Sequence, residues 1–113
     1  MFGGDVLSKN LLICDLLEIY GKLLTEKQLR LLELYYFDDL SLSEIAENEG
    51  GSRQGAMDVI KRAEKELLKM ESVLGLYSRN TEQLKIINSL KVLNKNKDFN
   101  KMEVLLTELE KTI

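Results

Sequence analysis

The stretch "SLSEIAENEGGSRQGAMDVIKR", residues 41–62, decides the fold. It opens on Ser41-Leu42-Ser43-Glu44, a capping box. A hydroxyl at the N-cap and a carboxylate three residues on satisfy each other's unpaired backbone N–H groups. Leu42, Ile45 and Ala46 fall on one side of the short helix that follows. Asn48, Gly50 and Gly51 stop it, because glycine supplies the positive φ that such a stop needs. Ser52 caps the next helix, although Gly55 stands where a complete box has Glu or Gln. Two helices joined by a short glycine turn have the proportions of a helix-turn-helix. In that motif the first helix braces and the second enters the major groove.

Phasing the second helix at 100° per residue separates its chemistry. Ala56, Val59, Ile60, Ala63, Leu67 and Met70 cluster on one side. Gln54, Asp58, Lys61, Lys65 and Lys69 cluster on the other, with Met57 and Arg62 at its edges. Those side chains suit a groove: Gln pairs with adenine, Lys reaches guanine or phosphate, and Asp accepts from cytosine. Ser52, Arg53 and the first backbone N–H groups stand at the helix N-terminus, where phosphates bind well. The candidate nucleic-acid-binding residues are therefore Ser52, Arg53, Gln54, Asp58, Lys61, Arg62 and Lys65. A solvated helix face shows the same polarity, so the turn and caps carry the fold, and binding does not follow from fold alone.

Working outward, the whole chain reads as all-α. It has 113 residues, no proline, and apolar residues mostly at helical spacing. A first helix is expected from about Asp5 to Leu24, weakened near its end by Gly21. Thr25-Glu26-Lys27-Gln28 is another capping box, and "FDDLS" ends the helix it starts. The helix after Ser52 is expected to run to about Leu74, where Gly75 stops it. Its roughly 22 residues span about 33 Å, more than a groove needs. Two further amphipathic helices, about Thr81 to Leu93 and about Asp98 to Lys111, flank "NKNKD" and make a hairpin. The expected division is a helix-turn-helix domain over residues 1–78 and a C-terminal helical hairpin over 79–113. The apolar faces of the long helix and hairpin exceed what a lone hairpin buries, so a homodimer is expected there.

Composition narrows the function. There is no histidine and one cysteine, Cys14, expected to be a small buried hydrophobe. A zinc site or a Cys/His nucleophilic pair cannot be assembled from that inventory. No glycine-rich phosphate loop appears, so no enzyme and no cofactor or metal is expected. The opening "MFGGDVLSKN" lacks the charged, apolar and small-residue segments of a signal peptide, and no apolar run approaches a membrane span. A cytoplasmic location with no membrane partner is expected. Asp38-Asp39 reads as a solvated helix end, and Tyr35-Tyr36-Phe37 as core in preference to a base-stacking platform.

Charge argues against strong DNA binding. The chain carries a net −3: residues 1–40 contribute −3, 41–78 contribute −2 and 79–113 contribute +2. Glu44, Glu47 and Glu49 crowd the bracing helix and turn. A DNA binder needs a basic stripe, because phosphate contacts supply much of the affinity. Lys61, Arg62, Lys65 and Lys69 are the one local concentration that offers it.

The combination of "LT-KQ", "LYY-DD-S--EIAE", "SRQG--D-IKR-E" and "LGLY" resembles the YlxM family of small bacterial helix-turn-helix proteins. The resemblance runs from about Leu12 to Tyr77 and more loosely through the hairpin. The same region looks like the σ-factor region 4 module. Members of that family are encoded beside the GTPase subunit of the bacterial signal recognition particle. The resemblance thus implies an accessory or regulatory protein of that targeting pathway, with the particle's RNA or its GTPase as partner. Matching positions are Ser52, Arg53, Gln54, Asp58, Ile60, Lys61 and Arg62. The sequence departs from the family in its second glycine before Ser52, which implies a looser turn, and at Met57 and Val59. Two other readings stand beside this one. One is a transcriptional regulator reading duplex DNA as a dimer, and the other a protein–protein adaptor without nucleic-acid binding.

Overall fold

A computed structural model describes residues 9–113. Among these residues there is no strand, and six α-helices follow one another: α1 (Leu12–Tyr20), α2 (Glu26–Tyr36), α3 (Leu42–Glu49), α4 (Arg53–Leu74), α5 (Leu76–Lys95) and α6 (Phe99–Glu110). The chain divides into two units between Leu74 and Gly75.

The first unit is built around α4, against which α1, α2 and α3 all pack. Its core is Ile13, Leu16, Leu17 and Tyr20 from α1, Leu31, Leu32 and Tyr35 from α2, Leu42, Ile45 and Ala46 from α3, and Ala56, Ile60, Ala63 and Leu67 from α4. Small residues at 56 and 63 let the bracing helices approach the α4 backbone, while Ile60 and Leu67 fill the space between. Full burial of each large aliphatic side chain is worth about 1.5–3 kcal/mol.

Both expected capping boxes form. Thr25 accepts from the Gln28 N–H at 3.2 Å while the Thr25 N–H donates to Gln28 Oε1 at 3.2 Å. Ser41 accepts from the Glu44 N–H at 3.1 Å, and the Ser41 N–H donates to Glu44 Oε1 at 2.9 Å. Between α3 and α4 the backbone passes through φ of +75° at Gly50 and +124° at Gly51. Both glycines therefore meet a conformational need, since side chains strongly disfavour that region. The exit of α3 is also held from outside by the Arg30–Glu49 ion pair.

The first helix is shorter than its sequence suggests. Residues 5–8 of the expected span lie outside the described residues. Asn10 Oδ1 accepts from the Leu12 N–H at 3.1 Å, and the α-helix begins there. It ends at Tyr20, and Gly21–Leu23 continue as a 3₁₀ turn. Gly21 is buried beneath neighbours: a Cβ there would stand 3.1 Å from Leu29 Cδ1 and 3.3 Å from Leu17 Cδ1. Leu23, inside the expected helix, is 66% exposed where the α-helix has already given way to the 3₁₀ turn. Cys14 is half-buried where full burial was expected.

The second unit, residues 75–113, is the hairpin of α5 and α6. Here α5 starts at Leu76, five residues before the expected Thr81. Gly75, at φ +62°, ends α4 in a single residue and leaves nothing in "LYSRN" to delay the next helix. The Thr81 hydroxyl donates back to the Tyr77 carbonyl at 2.9 Å, a mid-helix habit of threonine that a capping residue does not share. Asp98 caps α6 through the Lys101 N–H at 3.2 Å. Gln83 Nε2 donates to Thr112 Oγ1 at 2.8 Å across the hairpin, fixing its antiparallel register.

Candidate nucleic-acid interface

The seven candidate residues fall on the Ser52 cap and the first four turns of α4. Ser52 Oγ accepts from the Gly55 N–H at 3.0 Å, which caps the helix and leaves the hydroxyl's own proton to donate elsewhere. Arg53 is half-buried, and Gln54, Asp58, Lys61, Arg62 and Lys65 are exposed. Gln54 Nε2 donates to Asp58 Oδ1 at 3.0 Å, one turn along the helix. That pair satisfies part of the hydrogen-bonding capacity that a base edge requires, so a base contact by either residue must share it or break it.

Lys61, Arg62, Lys65 and Lys69 project from the same exposed side, opposite Ala56, Ile60, Ala63 and Leu67. None of the ion pairs among the described residues engages them. They lie within about a 100° arc and about 12 Å of helix axis, the dimensions of a groove-sized basic patch.

The acidic residues that make this segment negative are sorted elsewhere. Glu64 and Glu71 turn toward the core side. Glu71 Oε1 accepts from the Tyr20 hydroxyl at 2.7 Å, and Glu64 Oε2 accepts from the Tyr36 hydroxyl. Burial pushes the Glu64 carboxyl above its ordinary value, with the Tyr36 hydroxyl and Lys61 pulling the other way. Burial first, and then the bond to Glu64, push the Tyr36 phenol up. Glu49 is taken by Arg30, and Glu44 by its capping box. The patch itself keeps Asp58, with Glu66 off to one side. Net charge per segment could not reveal this sorting. The i, i+3 and i, i+4 placement of the glutamates relative to Ala56, Ile60, Ala63 and Leu67 could have, since it puts Glu64 and Glu71 beside the buried stripe.

The other candidates resolve as structural parts. Tyr35 is buried and meets Tyr36 edge-on, with ring centroids 5.2 Å apart. Phe37 is 48% exposed, so the aromatic run is only partly core. Lys9 Nζ donates to the Tyr35 carbonyl at 2.8 Å and to Asp39 Oδ1 at 2.7 Å. That ammonium holds the Asp39 carboxyl below its ordinary value. Asp39 thus closes the α2 exit, at a φ of +56°, and Asp38 stands exposed beside it. Among the described residues no group of three His, Cys, Asp or Glu side chains is placed to hold a metal ion, and no helix is long and apolar enough to cross a membrane.

Comparison with known proteins agrees with the helical arrangement. The model of the UPF0122 family, described as "Putative helix-turn-helix protein, YlxM / p13 like", matches residues 7–109. The UPF0122 protein CA_C1753 of Clostridium acetobutylicum is 46% identical over 102 residues, covering 87% of this chain and 88% of the relative. TTE1463 of Caldanaerobacter subterraneus is 46% identical over 76 residues, covering 67% of this chain and 65% of that one. The gbs1018 protein of Streptococcus agalactiae is 56% identical over 63 residues, 56% of this chain and 57% of its own.

Proposed function

The chain belongs to the UPF0122 family of YlxM / p13-like helix-turn-helix proteins, and from that premise we propose that it is a nucleic-acid-binding accessory protein of the signal recognition particle pathway. The pathway enters through the resemblance to YlxM. The binding surface is the exposed side of α4, and the partner is the particle's RNA. The observation that carries this reading is the segregation of charge on α4. Four cations, Lys61, Arg62, Lys65 and Lys69, occupy one side, while Glu64 and Glu71 are turned inward onto tyrosine hydroxyls. A phosphate backbone meets local charge before it meets net charge, because screening at physiological salt cuts interactions off within about 8 Å. The cationic side of α4 therefore attracts nucleic acid despite the overall −3. The acidic bracing helix keeps that attraction modest and salt-sensitive.

A gel-shift or anisotropy titration of the full chain tests this, using signal recognition particle RNA and random duplex DNA across a salt series. Lys61→Ala combined with Lys65→Ala should weaken RNA binding about tenfold or more at low salt. It should also lower the slope of log K against log salt by roughly 1 to 2, one lost phosphate contact per lysine. Unchanged binding and slope would remove this face from consideration. Binding to one duplex sequence in strong preference to RNA would favour the transcriptional regulator instead. Capture of the GTPase with no nucleic-acid affinity would favour the adaptor.

A further inference from the structure

The hairpin of α5 and α6 carries a second apolar seam on each helix, beside the one it buries. On α5 the covered residues are Gln83, Ile86, Leu90 and Leu93, at the spacing of one helix face. About 100° round the same helix lie Leu84 and Ile87, 57% and 39% exposed, with half-buried Tyr77 seven residues before Leu84. On α6 and its exit the covered residues are Met102, Leu105, Leu109 and Thr112. Beside them run Phe99 and Leu106 at seven-residue spacing, exposed by 65% and 44%, and Ile113, three residues past the end of the helix, is 96% exposed. In an antiparallel pair the sense of rotation reverses between the two helices. The two exposed seams, each displaced in the direction of increasing residue number, therefore face the same side of the hairpin. Val92 and Val104, also exposed, lie off that side.

We propose that this side is a dimer interface: a second copy of the chain lays its own hairpin against it, closing a four-helix bundle. Two features select a second copy over an unrelated partner. The first is size. Residues 75–113 bury a single apolar side chain, Ile86, and below roughly 40 residues a unit needs outside support such as oligomerisation. The exposed apolar side chains of the seams offer on the order of 500 Å² per copy, and the charged side chains that flank them bring this toward the ~800 Å² that a standard stable interface takes from each partner. The second feature is charge. α5 carries Arg79, Lys85, Lys91 and Lys95 against Glu82, whereas α6 carries Glu103, Glu108 and Glu110 against Lys101. A two-fold axis parallel to the helices puts α5 of one copy over α6 of the other, with both turns at one end. Lys91 and Lys95 then face Glu103 of the second copy. An isologous interface repeats that match twice, so the hairpin is complementary to itself. Heptad spacing of the seams is the spacing that helical bundles use.

Sedimentation of the full chain across a concentration range tests the proposal, with a monomer–dimer equilibrium as the expected result. Leu84→Lys with Leu106→Lys should weaken the dimer about tenfold or more, as truncating central apolar anchors does, while circular dichroism still shows the helical first unit. A charge swap gives a readout independent of folding. Lys91→Glu with Lys95→Glu in one variant, and Glu103→Lys in another, should each dimerise poorly, and their equimolar mixture should recover a heterodimer. A strict monomer at every concentration overturns the proposal. So does a dimer that survives the Leu84 and Leu106 substitutions in a folded variant, or a mixture that recovers nothing.

Discussion

The two units of this chain are both helical and both amphipathic, yet they differ in how much they bury. Of the fifteen buried apolar side chains among the described residues, only Ile86 lies beyond Leu74. The first unit closes its core because three short helices converge on one long one from different directions. The hairpin has only two helices, and two cylinders in contact cover one seam each. Amphipathicity is therefore a demand for a partner, and the number of helices within reach decides whether the demand is met inside the unit.

The largest effect that tests this contrast comes from truncating matched aliphatics. Ile60 is fully buried at the centre of the first unit, whereas Leu109 is only half-covered on α6. Ile60→Ala should cost about 2–5 kcal/mol, because it leaves a cavity where three helices meet. Leu109→Ala should cost about 1 kcal/mol, nearer the ordinary range for a partly covered site. Thermal and urea unfolding of the two variants measure the difference. Comparable losses would mean that the hairpin is as well packed as the core, and the contrast would fail. A Leu109→Ala loss that grows with protein concentration would instead point to the dimer.

Next in size are the caps. Ser41→Ala removes the acceptor for the Glu44 N–H at the start of α3, the bracing helix. A loss of about 1 kcal/mol is expected, within the usual range for N-cap replacement. Asp98→Ala, at the start of α6, removes the matching bond to the Lys101 N–H. The two local costs are alike, but the outcomes should differ. The bracing helix is held by Leu42, Ile45 and Ala46, so its loss is shared by the whole first unit. α6 buries no residue completely, so its loss should appear as local fraying. Hydrogen exchange separates these: a global drop in protection for Ser41→Ala, and faster exchange confined to α6 for Asp98→Ala. Identical global effects would show the units to be energetically fused.

The caps also mark what the sequence made legible. Thr25 with Gln28 and Ser41 with Glu44 announce their helices through short-range chemistry, so the starts of α2 and α3 are readable to the residue. Gly50-Gly51 and Gly75 announce their breaks through backbone geometry. The phase of α4 places Gln54, Asp58, Lys61 and Lys65 correctly on its exposed side. The misreadings turn on particular side-chain contacts, near and far in sequence, that helix phase does not show. At the early end of α1, Leu29 from another helix closes over Gly21. The early start of α5 depends on Thr81 choosing the Tyr77 carbonyl over a capping role. The Gln54–Asp58 bond and the inward turn of Glu64 and Glu71 depend on side-chain partners. Segment charge, blind to those partners, therefore understated how basic the α4 surface is.

The smallest expected effect sharpens that last point. Glu64 lies beside the buried stripe of α4, and burial raises its folded pKa above the ordinary 4.5. A carboxyl with a raised folded pKa makes the folded state bind more protons than the unfolded one between those two values. Stability is then fully present below the unfolded pKa and is lost as pH rises through the folded pKa. Glu64→Gln keeps an oxygen for the Tyr36 hydroxyl and removes the buried charge. The variant should therefore melt slightly higher than the parent at neutral pH and converge with it below about pH 4, the unperturbed carboxylate range. The gain should stay under about 1 kcal/mol, because the group is only part-buried and solvent screens it. A lower melting temperature at neutral pH would mean that the ionised carboxylate's bond to Tyr36 outweighs its burial. In that case Glu64 would be held inward by the tyrosine, and Tyr36→Phe should release it toward Lys61 and weaken RNA binding by α4. If burial dominates, Tyr36→Phe should lower stability and leave the basic side of α4, and its salt-dependent binding, unchanged.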